Sequence, residues 1–410
     1  MRGNFSFTLL GSIIYNGCQW AMVAVVTKFG SDIDLTHLIG ALAISGPVIT
    51  FFNLQMTPIQ ALDATSENSF ADFLFLRLIS QVASLTLLAS FWFIADLSIN
   101  AFSFLILVGL NRAIYSIGES FYGEQQKNER MGACGMSLGL KGIVSICVML
   151  TLLTNNSTVF TALVGWGVSH LILLGFDILY TKPLLPSLRD MLPISSLKSI
   201  IKLARKGLPL GVSALLISIQ INIPNYSLMI SEHGNDVGVF GSILFLATIG
   251  RKIIEAVVRA IGPRLSRLIH EGNITRYISL RRLMVLFSGS IGIAALIVSY
   301  ACGELLLKYL YTDHFVIYLP VLLWILAGET ANFISLALEH ALIARKMFRA
   351  QLISISFSVT ALTIASFLLV PSHGINGAAW AVTAGGLARM LASISITLFT
   401  DNEQNTRSLA

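Results

Sequence analysis

This 410-residue chain is short of charge. Aspartate, glutamate, lysine and arginine together make up 12% of it. A soluble domain carries about 25%, and a soluble body of this length has enough surface to need them. The shortage excludes an ordinary water-soluble protein. Cysteine is scarcer still: Cys18, Cys134, Cys147 and Cys302 are scattered, without paired spacing, so neither a disulfide framework nor a cysteine metal site is indicated. Reactive motifs are missing as well. No glycine-rich lysine loop for nucleotide phosphates and no His/Glu metal motif occurs, and no Ser-centred nucleophile elbow does. No stretch outside the apolar runs is long enough for a large catalytic domain. Catalysis is therefore not expected, and no cofactor or metal is. The net charge of +6 does not indicate nucleic acid, because the basic residues gather in particular loops.

What the chain does have is apolar sequence: 55% of its residues, with a mean hydropathy of +0.78. A membrane span needs roughly 20 mostly apolar residues. On that measure spans fall at about 7–27, 37–56, 73–95, 101–121, 132–153 and 159–180, then at about 208–230, 237–259, 284–303, 315–338, 350–370 and 376–399. This is an all-α polytopic membrane protein with twelve transmembrane helices in two groups of six. The first apolar run has no small-residue cleavage site after it and reads as a retained helix. The expected organisation is a six-helix bundle at 1–180, a basic linker at 181–207, a second six-helix bundle at 208–399 and a polar tail at 400–410, read as disordered.

The linker is the organising stretch. It carries Pro183, Pro186 and Pro193 among Lys182, Arg189, Lys198, Lys202, Arg205 and Lys206. Residues 195–206 fit either a solvated loop or a short amphipathic helix with Ile200, Ile201 and Leu203 against lipid. Lysine and arginine set orientation. One side receives Arg2, Arg77, Lys127, Arg130, the linker, the Arg259–Arg282 region, Arg345, Lys346, Arg349 and Arg407. The other side has only Lys28 and Lys308. Both termini are thus expected in the cytoplasm. A weak repeat accompanies this pattern: Gly30 to Ile33 match Gly234 to Val237, Glu67 matches Glu271 and Arg77 matches Arg281. Each half has an even number of spans, so the repeats would be parallel, framing a cavity between bundles that rock to alternate access.

Ionisable groups inside a bilayer are costly and face a cavity or a partner. Arg112 lies mid-span with Glu119 two turns on, sharing one helix face but too far for a direct pair. Lys141 sits near mid-bilayer. Arg251, Glu255 and Arg259 line one face of the eighth span, with Lys252 turned away. Glu329 and Asn332 lie in the tenth, Glu339 at its end, and Arg389 in the twelfth. The eighth-span charges fit a neutralising network that locks helices, or a basic lining for an anionic group. Embedded bases (Arg112, Lys141, Arg251, Lys252, Arg389) outnumber embedded acids (Glu119, Asp177, Glu255, Glu329) by one. Guanidinium forks suit phosphate oxygens. Arg112, Lys141, Arg251 and Arg389 are therefore candidate substrate contacts, and Glu119, Glu255, Arg259 and Glu329 candidate coupling or network residues. Asn16 and Gln19 in the first span, and Gln220 and Asn222 in the seventh, fit either sugar hydroxyls or interhelical hydrogen bonds. Pro224 is expected to bend the seventh span. The tryptophans, His170 and His340 read as anchoring or structural.

Four segments carry a family resemblance: Gly3–Gly30, Ala43–Asp63, Phe73–Ser80 and Glu271–Tyr277. Through them the chain resembles bacterial oligosaccharide flippases of the multidrug/oligosaccharidyl-lipid/polysaccharide exporter superfamily, over essentially its whole length. The resemblance implies a MATE-like fold. It also implies a flippase that moves an undecaprenyl-pyrophosphate-linked repeat unit from the cytoplasmic to the periplasmic leaflet of the inner membrane, for lipopolysaccharide, capsule or exopolysaccharide synthesis. Arg112, Arg251 and Arg389 would then contact pyrophosphate. The implied partners are the lipid-linked oligosaccharide, membrane lipids, and a polysaccharide polymerase and glycosyltransferases. A cation-coupled exporter of drugs or metabolites with the same fold is the alternative. Against it, spans one and two have no Asp or Glu in their apolar interiors. A structural membrane subunit that anchors glycosyltransferases is a further alternative.

Overall fold

Apolar runs of this length can satisfy their backbone in lipid only as helices, and every regular element among the described residues is helical. The structure, a computed structural model, describes residues 2–63, 68–94, 97–185, 195–345 and 347–409. Within these, the side chains of 2–7, 9, 94, 256, 259, 260, 263, 348 and 402–409 are not described. The assignments made above for Arg2, Glu67, Pro186, Arg189, Pro193, Arg259, Lys346 and Arg407 lie outside the described residues or side chains.

The chain divides into two units, Met1–Asn222 and Ile223–Ala410. The first contains α1 (Arg2–Phe29), α2 (Asp32–Phe52), the short α3 (Met56–Leu62), α4 (Phe70–Ile94), α5 (Ile99–Lys127), α6 (Met131–Thr154), α7 (Val159–Thr181) and most of α8 (Leu197–Ile230). Starts are set by capping. Ser31 accepts from the Asp34 amide while Asp34 answers the Ser31 amide, a capping box for α2. Ser69 and Asp72 repeat it at α4. Ser98 and Thr158 cap α5 and α7. Each such cap is worth about 1 kcal/mol. Between α1 and α6 the backbones touch: a Cβ on Gly11 would lie 2.0 Å from the Gly135 carbonyl oxygen. Close backbone approach through small residues is how membrane helices gain contact without a hydrophobic driving force.

The second unit contains the end of α8, then α9 (Val237–His270), α10 (Ile274–Leu310), α11 (Leu319–Ala344) and α12 (Phe348–Leu409). At Gly374, with φ 52°, α12 is interrupted, so it comprises two helices. Eleven helices among the described residues are long and apolar enough to cross a membrane, and the last, Arg349–Asp401, contains that break. Divided there, the spans number twelve, and the all-helical multi-span class expected from composition is the one observed. Large apolar side chains such as Ile172, Leu286 and Phe357 are exposed, as befits surfaces that face acyl chains rather than water.

Two expectations are corrected. Residues 197–208 form neither a loop nor a separate surface helix. They are the first turns of α8, and Ile200 and Leu203 are buried against Leu54, Met56, Phe73 and Leu76 rather than facing lipid. Only Ile201 of the three is exposed. The tail is not irregular either, since α12 stays helical to Leu409.

Candidate functional site

In the first unit, α5, α6 and α7 meet around one buried charge pair. Lys141 on α6 contacts Asp177 on α7 at 2.6 Å, the two side chains 1% and 0% exposed. The same ammonium donates to the Tyr122 hydroxyl on α5 at 2.7 Å and lies 4.8 Å from the centre of that ring. Ser137, one turn before Lys141, donates to the other carboxylate oxygen of Asp177 and stands 2.9 Å from the Tyr122 hydroxyl. Room for the ammonium comes from Gly118, where a Cβ would lie 2.7 Å from Nζ. A pair withdrawn from water this completely is stable only when further hydrogen bonds support it; Tyr122 accepts one from the ammonium and Ser137 donates one to the carboxylate.

A second polar cluster holds the break between α2 and α3. Leu54 and Gln55 there have φ of 49° and 50°, a left-handed backbone that non-glycine residues adopt at a cost. Arg77 of α4, 1% exposed, secures the break. It donates to the Asn53 carbonyl at 3.4 Å, Thr57 Oγ1 at 2.9 Å, Ser116 Oγ at 3.3 Å and Ser120 Oγ at 3.4 Å, and lies 3.6 Å from Glu119. Asn53 in turn donates to Glu119 at 3.4 Å and accepts from Gln81 at 2.9 Å. Arg77, read above as a loop charge setting topology, is thus an interior residue whose guanidinium ties three helices.

One face of α5 carries Arg112, Tyr115, Ser116 and Glu119, at the helical spacing that makes them neighbours. Arg112 is half-buried. Its Nη1 lies 3.0 Å from the point a Cβ on Gly46 of α2 would occupy, and Ser218 Oγ of α8 lies 3.6 Å from the same point. Tyr115 stacks on Tyr15 of α1, ring centres 4.9 Å apart. Asn16 is exposed and donates one turn back to the Ser12 carbonyl. Asn222 does the same to Ser218. Gln19, Gln220 and Asn222 are half-buried. His170 is buried and accepts from the Trp166 indole at 3.2 Å.

In the second unit α11 supplies the carboxylates. Glu329, 2% exposed, receives Arg251 of α9 in a two-pronged bond, Nε at 3.1 Å and Nη2 at 2.6 Å, and Asn332 donates to it at 3.1 Å. Glu339, 0% exposed, receives Arg389 of α12 at 2.9 and 2.8 Å. Arg251 therefore reaches a neighbouring helix, beyond the same-helix line of Arg251, Glu255 and Arg259 considered from sequence. Glu255 lies 3.5 Å from Lys252, the residue read as pointing elsewhere. At one end of this unit Asp401 accepts from Arg281 at 3.0 and 2.6 Å and from Arg345 at 3.1 Å. Both guanidinium groups lie near the Tyr277 ring.

Two helical units, each held internally by buried ion pairs, can be compared with known proteins. No protein-family profile matches the chain. Over 97% of its length it is 25% identical to the capsular polysaccharide biosynthesis protein CapF of Staphylococcus aureus, 99% of which is covered. Its structure is similar to that of the lipid II flippase MurJ in an inward closed conformation, at TM-score 0.70 and 12% identity, covering 98% of this chain and 88% of that one. It is also similar to a multidrug resistance MATE family transporter of the MOP superfamily in an inward-facing conformation, at TM-score 0.69 and 13% identity, covering 98% and 96%. The chain has the MOP-superfamily transporter fold.

Within this fold, the basic residues Lys141, Arg251 and Arg389 singled out from sequence pair with carboxylates on neighbouring helices: Lys141 with Asp177, Arg251 with Glu329, Arg389 with Glu339. Lys141 and Arg389 are 1% and 11% exposed and Arg251 is 20% exposed. Arg112 and Glu119 share their face as expected, and Glu119 is 26% exposed. Sequence reasoning missed Arg77 and the Tyr15–Tyr115 stack. One signal was present for the first. Arg77 and Arg281, matched by the repeat, are both the eighth residue of their helix, and both are buried and ion-paired.

Proposed function

We propose that this MOP-fold chain is a flippase that carries an undecaprenyl-pyrophosphate-linked oligosaccharide from the cytoplasmic to the outer leaflet during capsule or related polysaccharide assembly. The observation that carries the reading is full-length similarity to a capsular polysaccharide biosynthesis protein, in a chain whose fold is also that of a lipid II flippase. The embedded charges support it. A pyrophosphate needs planar, multi-donor cations. In the first unit Arg112 has that chemistry, and in the second unit Arg251 is more exposed than the carboxylate it holds. Lys141 and Arg389 act in this reading as ion-pair partners that fix helices. Asn16, Gln19, Gln220 and Asn222 offer amides to sugar hydroxyls, and the prenyl tail stays in lipid. Both termini lie in the cytoplasm, by the lysine and arginine distribution.

The test is reconstitution into vesicles with a lipid-linked oligosaccharide in one leaflet and, separately, a cationic dye. Translocation of the oligosaccharide and not the dye is expected, and Arg112→Gln should abolish it at unchanged membrane levels. Dye transport alone would overturn the reading in favour of a drug exporter. A cysteine at position 202 should react with an impermeant maleimide only in inverted vesicles.

A further inference from the structure

The first turns of α8 have three distinct faces. At about 100° per residue, Ile200, Leu203 and Gly207 fall within about 60° of one another, and these are the residues buried against the first unit. Leu197, Ile201 and Leu208 fall within about 40°, and they are 70%, 44% and 46% exposed. Lys198, Lys202 and Arg205 fall within about 60° on the next sector, all exposed. The orientation is locked. Ser196 caps the helix through the Ser199 amide, and Ser195 donates to Asp72 at the start of α4. The helix therefore cannot roll to hide its apolar stripe, and that stripe runs directly beside a basic one.

Length places these turns. The helix has 34 residues, about 51 Å at 1.5 Å per residue, whereas the hydrocarbon core is about 30 Å thick and needs about 20 residues. Roughly 14 residues are left for the headgroup region, which matches the segment with the three-sided pattern. We propose that the Lys198–Lys202–Arg205 face binds the headgroups of anionic phospholipids, with Leu197, Ile201 and Leu208 resting on the acyl boundary beside it. An apolar stripe flanked by basic residues is the pattern that holds a helix at an anionic interface, and this one is continuous with a membrane span. The first unit then carries a lipid-reading surface, independent of what the protein transports.

The purified full-length protein is reconstituted into phosphatidylcholine vesicles holding spin-labelled phosphatidylglycerol or spin-labelled phosphatidylcholine, and the protein-associated fraction of each is measured. Wild type should prefer phosphatidylglycerol. At low ionic strength the preference should fall about five-fold for each charge removed in Lys198→Gln, Lys202→Gln and Arg205→Gln, and it should weaken towards 1 M salt. A spin label on a cysteine at 201 should be reached by oxygen and shielded from a water-soluble nickel chelate. No phosphatidylglycerol preference in wild type, a preference that survives all three substitutions, or a label at 201 open to the chelate would each overturn the proposal. The first two results would leave the face to an acidic protein partner or to solvent. If the triple variant does not purify as a single species, Lys202→Gln alone and the wild-type salt series decide the same question.

Discussion

Replacing Lys141 with methionine isolates the physics of the buried pair. Methionine fills nearly the same volume but takes away the ammonium, leaving Asp177, 0% exposed, with the Ser137 hydroxyl as its remaining donor in the cluster. Removing one member of a buried ion pair costs about 3–5 kcal/mol, because the other charge is stranded. A unit of this size shifts its melting temperature by about 2–4 °C per kcal/mol, so thermal unfolding in detergent should come down by about 10 °C. Asp177→Leu should cost a similar amount. The double variant should recover most of the loss, since no charge is then stranded and Tyr122 and Ser137, 2.9 Å apart, keep each other. Lys252→Met is the control. That side chain is 60% exposed and its contact with Glu255 is a surface pair, worth about 0–1 kcal/mol. The assay is loss of the monodisperse chromatographic peak after heating. The reasoning fails if Lys141→Met loses no more than Lys252→Met, or if the double variant loses the sum of the two singles.

Asp401→Asn keeps the size of the side chain but leaves Arg281 and Arg345, 9% and 8% exposed, without their counter-charge. A loss of about 3 kcal/mol is expected in the same heating assay, and combining it with Arg281→Met should restore part of that loss. Gly118→Val puts carbon atoms within 2.7 Å of the Lys141 ammonium and should cost about 1–3 kcal/mol by overpacking, with much less added effect in a Lys141→Ala background, where the end of the side chain is gone.

Much of the molecule is legible in its letters. Low charge and long apolar runs fix the helical, multi-span class, because lipid admits little else. The break at Gly374 falls where the eleventh and twelfth spans were separated. The pairing of the charges was not legible. Arg77 and Arg281 looked like loop residues because they follow polar stretches, yet both lie two turns inside a helix and are buried. Their carboxylate partners, Glu119 and Asp401, are remote in sequence. Arg251 was considered with Glu255 one turn away, and the structure gives it Glu329 on another helix. The start of α8 read as two-sided, apolar and basic. It is three-sided, because Leu54 and the helices α3 and α4 cover Ile200 and Leu203 but leave Ile201 open.

Composition and local periodicity by themselves determined the solvent this protein lives in, the number of its spans and the positions of some embedded charges, Lys141 and Arg389 among them, but not of Arg77 and Arg281. Each of these follows from transfer energies that one residue or one helix carries alone. Only the tertiary structure decided which carboxylate meets which cation and how deeply each pair is buried: Lys141 and Asp177 are 1% and 0% exposed, Arg77 and Glu119 1% and 26%. Coulombic attraction and desolvation depend on the distance between side chains on different helices, and helix packing sets that distance.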